Sequence, residues 1–157
     1  MVPTPIDVAR LSIRRVTPAD LDAMFGLQTD PVAAALAMSP VRDRSAFDAH
    51  WAMVLATPTA VTFVIEYDGT IVGDIGSWLA DGQREIGYRI ARDWWGRGLA
   101  TAAVARLLAE LPERPLFART IEGNGGSQRV LERSGFVMTG SETAPDGVRE
   151  WHYRLDR

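Results

Sequence analysis

Apolar and polar positions alternate from Leu11 to Val16 (LSIRRV), the period of a half-buried strand. The period then lengthens. Leu21, Met24, Phe25 and Gln28 recur at helical spacing behind Thr17 as an N-cap, Pro18 at the first helical position and Asp20 in the first turn. A helix is expected from about Pro18 to Gln28. A second helical stretch, with breaks, covers Pro31 to Ala56, where Phe47, Trp51, Val54 and Leu55 supply an apolar face. The middle of the chain returns to a strand period. AVTFVIEY and IVGDIGSWL flank Asp68-Gly69, a hairpin signal, and REIGYRI is the third strand of the run. The turn DWWGRG leads into a helix from about Leu99 to Glu110. PLFART (Pro115 to Thr120) reads as a strand, and Ser127 to Arg133 as a short helix closed by Gly135. FVMTGSE and VREWHYRL form a last pair of strands around Pro145-Asp146-Gly147. The order β-α-α-β-β-β-α-β-α-β-β predicts a mixed α/β domain with one parallel crossover, between REIGYRI and PLFART.

Composition narrows the chemistry. The 157 residues suit one domain, 1–157, able to bury its own core. With no cysteine, disulfides, thiolate metal sites and cysteine nucleophiles are excluded. His50 and His152 lack metal-ligand spacing, so no metal is expected. The formal net charge of −3 argues against a nucleic-acid partner. MVPTPIDVAR does not read as a signal peptide, and no apolar run approaches the roughly 20 residues of a membrane span, so a cytoplasmic location without a membrane partner is expected. All 17 basic residues are arginine, whose planar, permanently charged fork suits phosphate and carboxylate.

That last point bears on the stretch from Asp93 to Val104, DWWGRGLATAAV. A strand, a glycine-rich turn and a helix start make an anion site on general grounds. The first amides of a helix lack internal partners, glycines let a phosphate approach the backbone, and Arg97 adds charge. The pattern lacks the third glycine of the dinucleotide fingerprint and the Lys-Ser/Thr of a P-loop.

WWGRGLATAA resembles the pyrophosphate-binding loop of the GCN5-related N-acetyltransferases (GNAT), Gln/Arg-x-x-Gly-x-Gly/Ala, over Trp95, Gly96, Arg97, Gly98, Leu99 and Ala100. EGNGGSQRVLERSGF resembles the family's second signature at Asn124, Ser127, Gly135 and Phe136, and REIGYRI resembles its Glu-Ile-Gly-Tyr strand. The likeness runs from about Leu11 to Leu155 and is nearest to the ribosomal-protein N-terminal acetyltransferase (RimJ/RimL-like) branch. Trp95 replaces the usual first loop residue, and Ala102 stands where the branch has a glutamate. The resemblance implies an α/β GNAT fold: a mixed, mostly antiparallel sheet of about seven strands with a splayed parallel pair, flanked by about four helices. It implies acetyl-coenzyme A as co-substrate, a primary amine as acceptor, direct attack in a ternary complex, and a homodimer as the partner state. The coenzyme would be held by the backbone of Trp95 to Thr101, the strand backbone near Ile90, and Asn124. A bulge near Gly87 or Arg89 would create the splay.

Acetyl transfer needs a base for the ammonium and an acid for the leaving thiolate. Strand alternation puts Glu85, Gly87 and Arg89 on one face and makes Glu85 the leading base, unless it is merely paired with Arg84 or Arg89. Glu142 is the second candidate. Ser127 is the acid that the resemblance implies, although a serine there also reads as a helix cap. Arg129 or Arg133 would reach a 3′-phosphate, Trp78 and His50 would flank the acceptor. A non-catalytic acyl-coenzyme A sensor is the alternative; it would lack the base and acid.

Overall fold

The computed structural model describes residues 2–157. Its centre is one seven-stranded sheet, made of β1 (Leu11–Arg15), β2 (Val61–Tyr67), β3 (Thr70–Ala80), β4 (Gln83–Ile90), β5 (Leu116–Ile121), β6 (Val137–Thr143) and β7 (Arg149–Leu155). The spatial order is β1-β2-β3-β4-β5-β7-β6. Every neighbouring pair is antiparallel except β4 and β5, which are parallel and meet at the single register pair Glu85 and Phe117. Five helices accompany the sheet: α1 (Leu21–Leu27), α2 (Pro31–Leu36), α3 (Arg44–Ala56), α4 (Leu99–Glu110) and α5 (Gly125–Arg133).

Strand alternation builds a core on each face of the sheet. On one side Ile65, Ile75, Ile86 and Ile90 pack against Leu99, Ala103, Val104 and Leu107 of α4 and Leu131 of α5. On the other, Val16 and Val64 pack against Met24 of α1 and Phe47 of α3, with Phe25 edge-on to Phe47 at a centroid distance of 5.3 Å. The hairpins have local causes. Asp68-Gly69 and Asp81-Gly82 all take positive φ, 50° and 78° in the first pair and 50° and 77° in the second, the conformation that matches strand twist.

Two expectations are revised and a third is sharpened. The stretch expected to be helical with breaks from Pro31 to Ala56 breaks into two helices, so that five flank the sheet. Asp30 caps α2 and Asp43 caps α3, while Pro40 lies in the gap between them, where its missing N–H and ring disfavour helix. The first turn near Pro18 is a 3-10 turn, because the Asp20 carboxylate turns back to accept from the Thr17 amide at 2.8 Å. The bulge expected near Gly87 or Arg89 does not occur in the β3–β4 ladder, which runs without a shift from Gly73/Ile90 to Ala80/Gln83. Gly76 faces Gly87 in that ladder, so no pair of side chains crowds the register there. The splay itself lies where it was expected, between β4 and β5, which meet at one register pair.

Asp20 ties the first strand to the first helix. It is 5% exposed and accepts from Arg14 at 2.7 and 2.8 Å, and from Thr17. The Arg14 guanidinium, foremost, holds its carboxyl down at about 2 against burial. A depressed carboxyl stabilises the fold above its unfolded pKa and loses that contribution as pH falls through the folded value. Asp20→Asn should therefore cost about 1–2 kcal/mol at pH 7. The cost should shrink between about pH 4 and pH 2, read by urea melts across that range.

Candidate active site

Because β4 and β5 run parallel, the loops that follow them leave the sheet at the same end. Past Glu85 and Phe117 the two strands part, and both loops stand at the mouth of the wedge. The first loop is the tryptophan-glycine stretch. Trp95 Nε1 donates to the Ile90 carbonyl at 2.9 Å, which folds the loop back on the end of β4. The Trp94 ring packs on Tyr67 at 4.8 Å, and the Arg97 guanidinium stacks over Trp94 at 4.4 Å. The two tryptophans thus form a corner that carries the turn. Gly96 and Gly98 take φ of 70° and 81°, and Gly98 is the residue before α4. Such conformations cost little only in glycine.

Among the described residues, the amides from Gly96 to Thr101 have no hydrogen-bond acceptor. They combine two left-handed glycines with the start of a 12-residue helix, a run of backbone donors of the kind that can hold an anion. Leu99 is buried and holds the helix start against the core. The Arg97 side chain is committed elsewhere, since its Nε donates to the Thr4 carbonyl at 2.8 Å.

The second loop brings Asn124 and Ser127. Helix α5 starts two residues earlier than expected, because Asn124 Oδ1 accepts from the Ser127 amide at 3.1 Å and serves as the cap. Asn124 Nδ2 reaches the Leu36 carbonyl at 3.4 Å, tying α5 to α2. Ser127 is not the cap, and its hydroxyl is free for another partner. That partner is Tyr88, with its hydroxyl 2.7 Å from Ser127 Oγ. Burial pushes the Tyr88 phenol up to about 12, so it stays protonated at neutral pH. The Arg129 guanidinium lies back against Gly125 at the start of α5.

The other face of β4 carries the carboxylate. Glu85 is 7% exposed, and its Oε1 accepts from Arg119 Nε at 3.1 Å and Nη2 at 2.7 Å. The partner is neither Arg84 nor Arg89 but a residue on the neighbouring strand. Both bonds end on one oxygen, and among the described residues Oε2 has no hydrogen bond. Arg119 Nη1 is 3.7 Å from Glu150, and His152 Nε2 lies 3.9 Å from Glu150 and 4.0 Å from Glu142. Glu142 is exposed and is separated from Glu85 by this chain of groups. A cavity of about 200 Å³ opens beside Glu150, between Ala37 and Met38 on one side and Ile121 and Asp146 on the other. The Trp78 ring lies on Gly87, where an added Cβ would sit 2.7 Å from the ring. Tyr88 and Arg119 escaped the sequence reading. Tyr88 stood within the Glu-Ile-Gly-Tyr strand, and alternation alone puts it on the face opposite Glu85. Nothing in sequence links Arg119 to Glu85.

Asp74 on β3 faces Arg89 across the ladder and has no hydrogen bond among the described residues. Burial raises its carboxyl to about 6, against the pull of Arg89. The His50 imidazole is lowered by burial first and then by the charges of Arg42 and Arg89. No cluster of histidine and acidic residues among the described residues suits a metal, and no helix there is long and apolar enough to cross a membrane.

Residues 10–137 match the model of the acetyltransferase (GNAT) domain, and the chain belongs to that family. A Bacillus subtilis relative, YdaF, whose name places it with the ribosomal N-acetyltransferases, is 32% identical over 105 residues. That match spans 62% of this chain and 56% of the relative. Among solved structures, spermidine N-acetyltransferase from Vibrio cholerae, bound to coenzyme A and spermine, is similar with a TM-score of 0.84 at 15% identity, covering 94% of this chain and 96% of that one. RimL, the ribosomal L7/L12 alpha-N-protein acetyltransferase, has a TM-score of 0.83 at 15% identity over 99% and 93% of the two chains. The expected α/β GNAT fold with its parallel pair is thereby established.

Asp74 gives a direct test of the electrostatics of this face. A raised carboxyl contributes nothing below its unfolded pKa, and disfavours the fold increasingly as pH rises from that value to the folded one, beyond which the cost is constant. Asp74→Asn should leave stability unchanged below about pH 4, increase it progressively between about pH 4 and pH 6, and hold a constant gain of up to ~2 kcal/mol above about pH 7. Thermal melts across this range should show the gap widening with pH and then levelling.

Proposed function

We propose that the chain transfers the acetyl group of acetyl-coenzyme A to a primary amine by direct attack in a ternary complex. The observation that carries this reading is the row of unpaired amides from Gly96 to Thr101 at the mouth of a wedge between parallel strands. Those amides would hold the pyrophosphate, and the β4 backbone toward Ile90, together with Asn124, would line the pantetheine arm. Bound acetyl-coenzyme A supplies the thioester carbonyl.

The residues of this chain supply the rest from opposite faces of β4. Glu85 Oε2, free while Arg119 occupies Oε1, takes a proton from the incoming ammonium through water. Tyr88 and Ser127 stand on the far face as a hydroxyl pair that delivers a proton toward the departing sulfur. The amine thus enters from one side of the sheet and the thiol leaves on the other. Trp78 and the cavity beside Glu150 border the amine's approach. The free carboxylate oxygen and the hydroxyl pair favour a catalyst over a non-catalytic coenzyme sensor. The acceptor is a protein or peptide N-terminus, or a small amine, and the net charge of −3 fits such a partner better than nucleic acid.

Thiol release from acetyl-coenzyme A is measured against peptides with varied N-termini, amino acids, polyamines and aminoglycosides, with coenzyme binding followed in the same samples. One acceptor class should give turnover. Silence across the panel with coenzyme bound would favour the sensor. With the active acceptor, Glu85→Gln should lower kcat about 100-fold at pH 7, with coenzyme affinity little changed. Tyr88→Phe should lower kcat about tenfold while leaving KM for the amine near its original value. An unchanged pH–rate profile in Glu85→Gln would remove Glu85 from the role of base.

A further inference from the structure

The glycine loop that would hold the pyrophosphate is covered on its outside by the first residues of the chain. The Ile6 amide donates to the Arg97 carbonyl at 3.0 Å, and Arg97 Nε donates to the Thr4 carbonyl at 2.8 Å. The two bonds run in opposite directions and clip the segment to the loop. Pro3 closes over Gly96, with its Cγ 3.4 Å from where a Cβ would sit. The segment has its own anchors. Ile6 packs on the core, the Asp7 amide donates to the Tyr67 hydroxyl at 3.1 Å, and the Asp7 carboxylate caps the following turn at Ala9. Four side chains stack in sequence across the joint: Arg10 over Tyr67 at 5.0 Å, Tyr67 on Trp94 at 4.8 Å, and Arg97 over Trp94 at 4.4 Å.

A loop with two left-handed glycines is costly to order. If it were loose, the coenzyme would have to order it on binding, and affinity would fall accordingly. Arg97 carries a charge beside an anion site, yet its Nε is used on a backbone carbonyl and its plane on an indole. We propose that residues Pro3 to Asp7 form a strap that pre-orders the coenzyme loop, and that Arg97 is a positioning residue clamping this strap rather than a ligand of the phosphates. The inference rests on the coenzyme site proposed above. It gives the N-terminal segment a function in coenzyme recognition and assigns Arg97 a role that its charge and loop position do not suggest.

The test compares coenzyme A and pantetheine binding by calorimetry at several salt concentrations, with folding checked by thermal melts. The wild type is measured beside Arg97→Gln, Arg97→Lys, a deletion of residues 2–5, and the double variant Arg97→Gln with the deletion. Under the strap model, Arg97→Gln and the deletion each weaken coenzyme A about tenfold, the worth of one charge-assisted hydrogen bond. The double variant is no weaker than either single one, because both break the same clamp. Arg97→Lys does not restore affinity, the salt dependence keeps its slope, and pantetheine, which lacks the pyrophosphate, binds all variants alike. If the deletion does not fold, Ile6→Pro takes its place, since it removes the N–H that the Arg97 carbonyl accepts. A different pattern overturns the proposal: coenzyme A binding untouched by the deletion, lost with a flatter salt slope in Arg97→Gln, and restored by Arg97→Lys. That would make Arg97 a phosphate ligand. Unchanged affinity in every variant overturns it as well. Failure of the wild type to bind coenzyme A would instead remove the coenzyme site itself.

Discussion

Strands β4 and β5 touch at Glu85 and Phe117 and then separate, and the rest of the molecule is arranged around that wedge. Two parallel strands send their following loops to the same end of a sheet, whereas antiparallel neighbours would send them to opposite ends. This one parallel step therefore brings the loops of Gly96–Gly98 and Asn124–Ser127 to the same end of the sheet. The wedge survives because each strand is held from its outer side. β4 has an unbroken ladder to β3, and β5 an unbroken ladder to β7. The cores above and below, around Leu99 and Leu107 on one face and Met24 and Phe47 on the other, keep the sheet from closing it.

The wedge also sorts the polar chemistry. Neighbouring positions on β4 point to opposite faces, so Glu85 and Tyr88 stand on different sides of the same strand. On one side two hydroxyls meet in a largely apolar setting, and burial keeps the phenol protonated. On the other, a buried carboxylate is compensated by an arginine from the adjacent strand, as a charge at 7% exposure requires. Arg119 then links Glu85 to Glu150, beside which His152 lies, so this side of the sheet carries one connected set of polar groups. Asp74 has Arg89 across the ladder but no hydrogen bond among the described residues, and burial raises its carboxyl.

The loop at the mouth shows how local and distant requirements combine. Its glycines answer a local demand, two left-handed backbone positions before a helix. Its aromatics answer a distant one: Trp95 returns to Ile90, and Trp94 joins Tyr67 from β2. The N-terminal segment then completes the outer wall through Arg97.

Much of this could be read before any coordinates were known, because it depends on near neighbours in the chain. Apolar periodicity and turn signals located all seven strands along the chain, Asp68-Gly69 marked a hairpin, and the spacing of Gly96, Gly98, Asn124 and Ser127 carried the family. What escaped was of another kind. The break between α2 and α3 turns on competing caps at Asp30 and Asp43, and the start of α5 on an Asn124 bond that Ser127 also had the chemistry to make. The partner of Glu85, the pairing of Tyr88 with Ser127, and the clamp of Arg97 on Thr4 join residues 34, 39 and 93 positions apart. Periodicity reports which face a residue occupies, and motif spacing reports backbone conformation. Neither reports which residue from another strand or terminus arrives at that face, because packing of the whole sheet makes that choice.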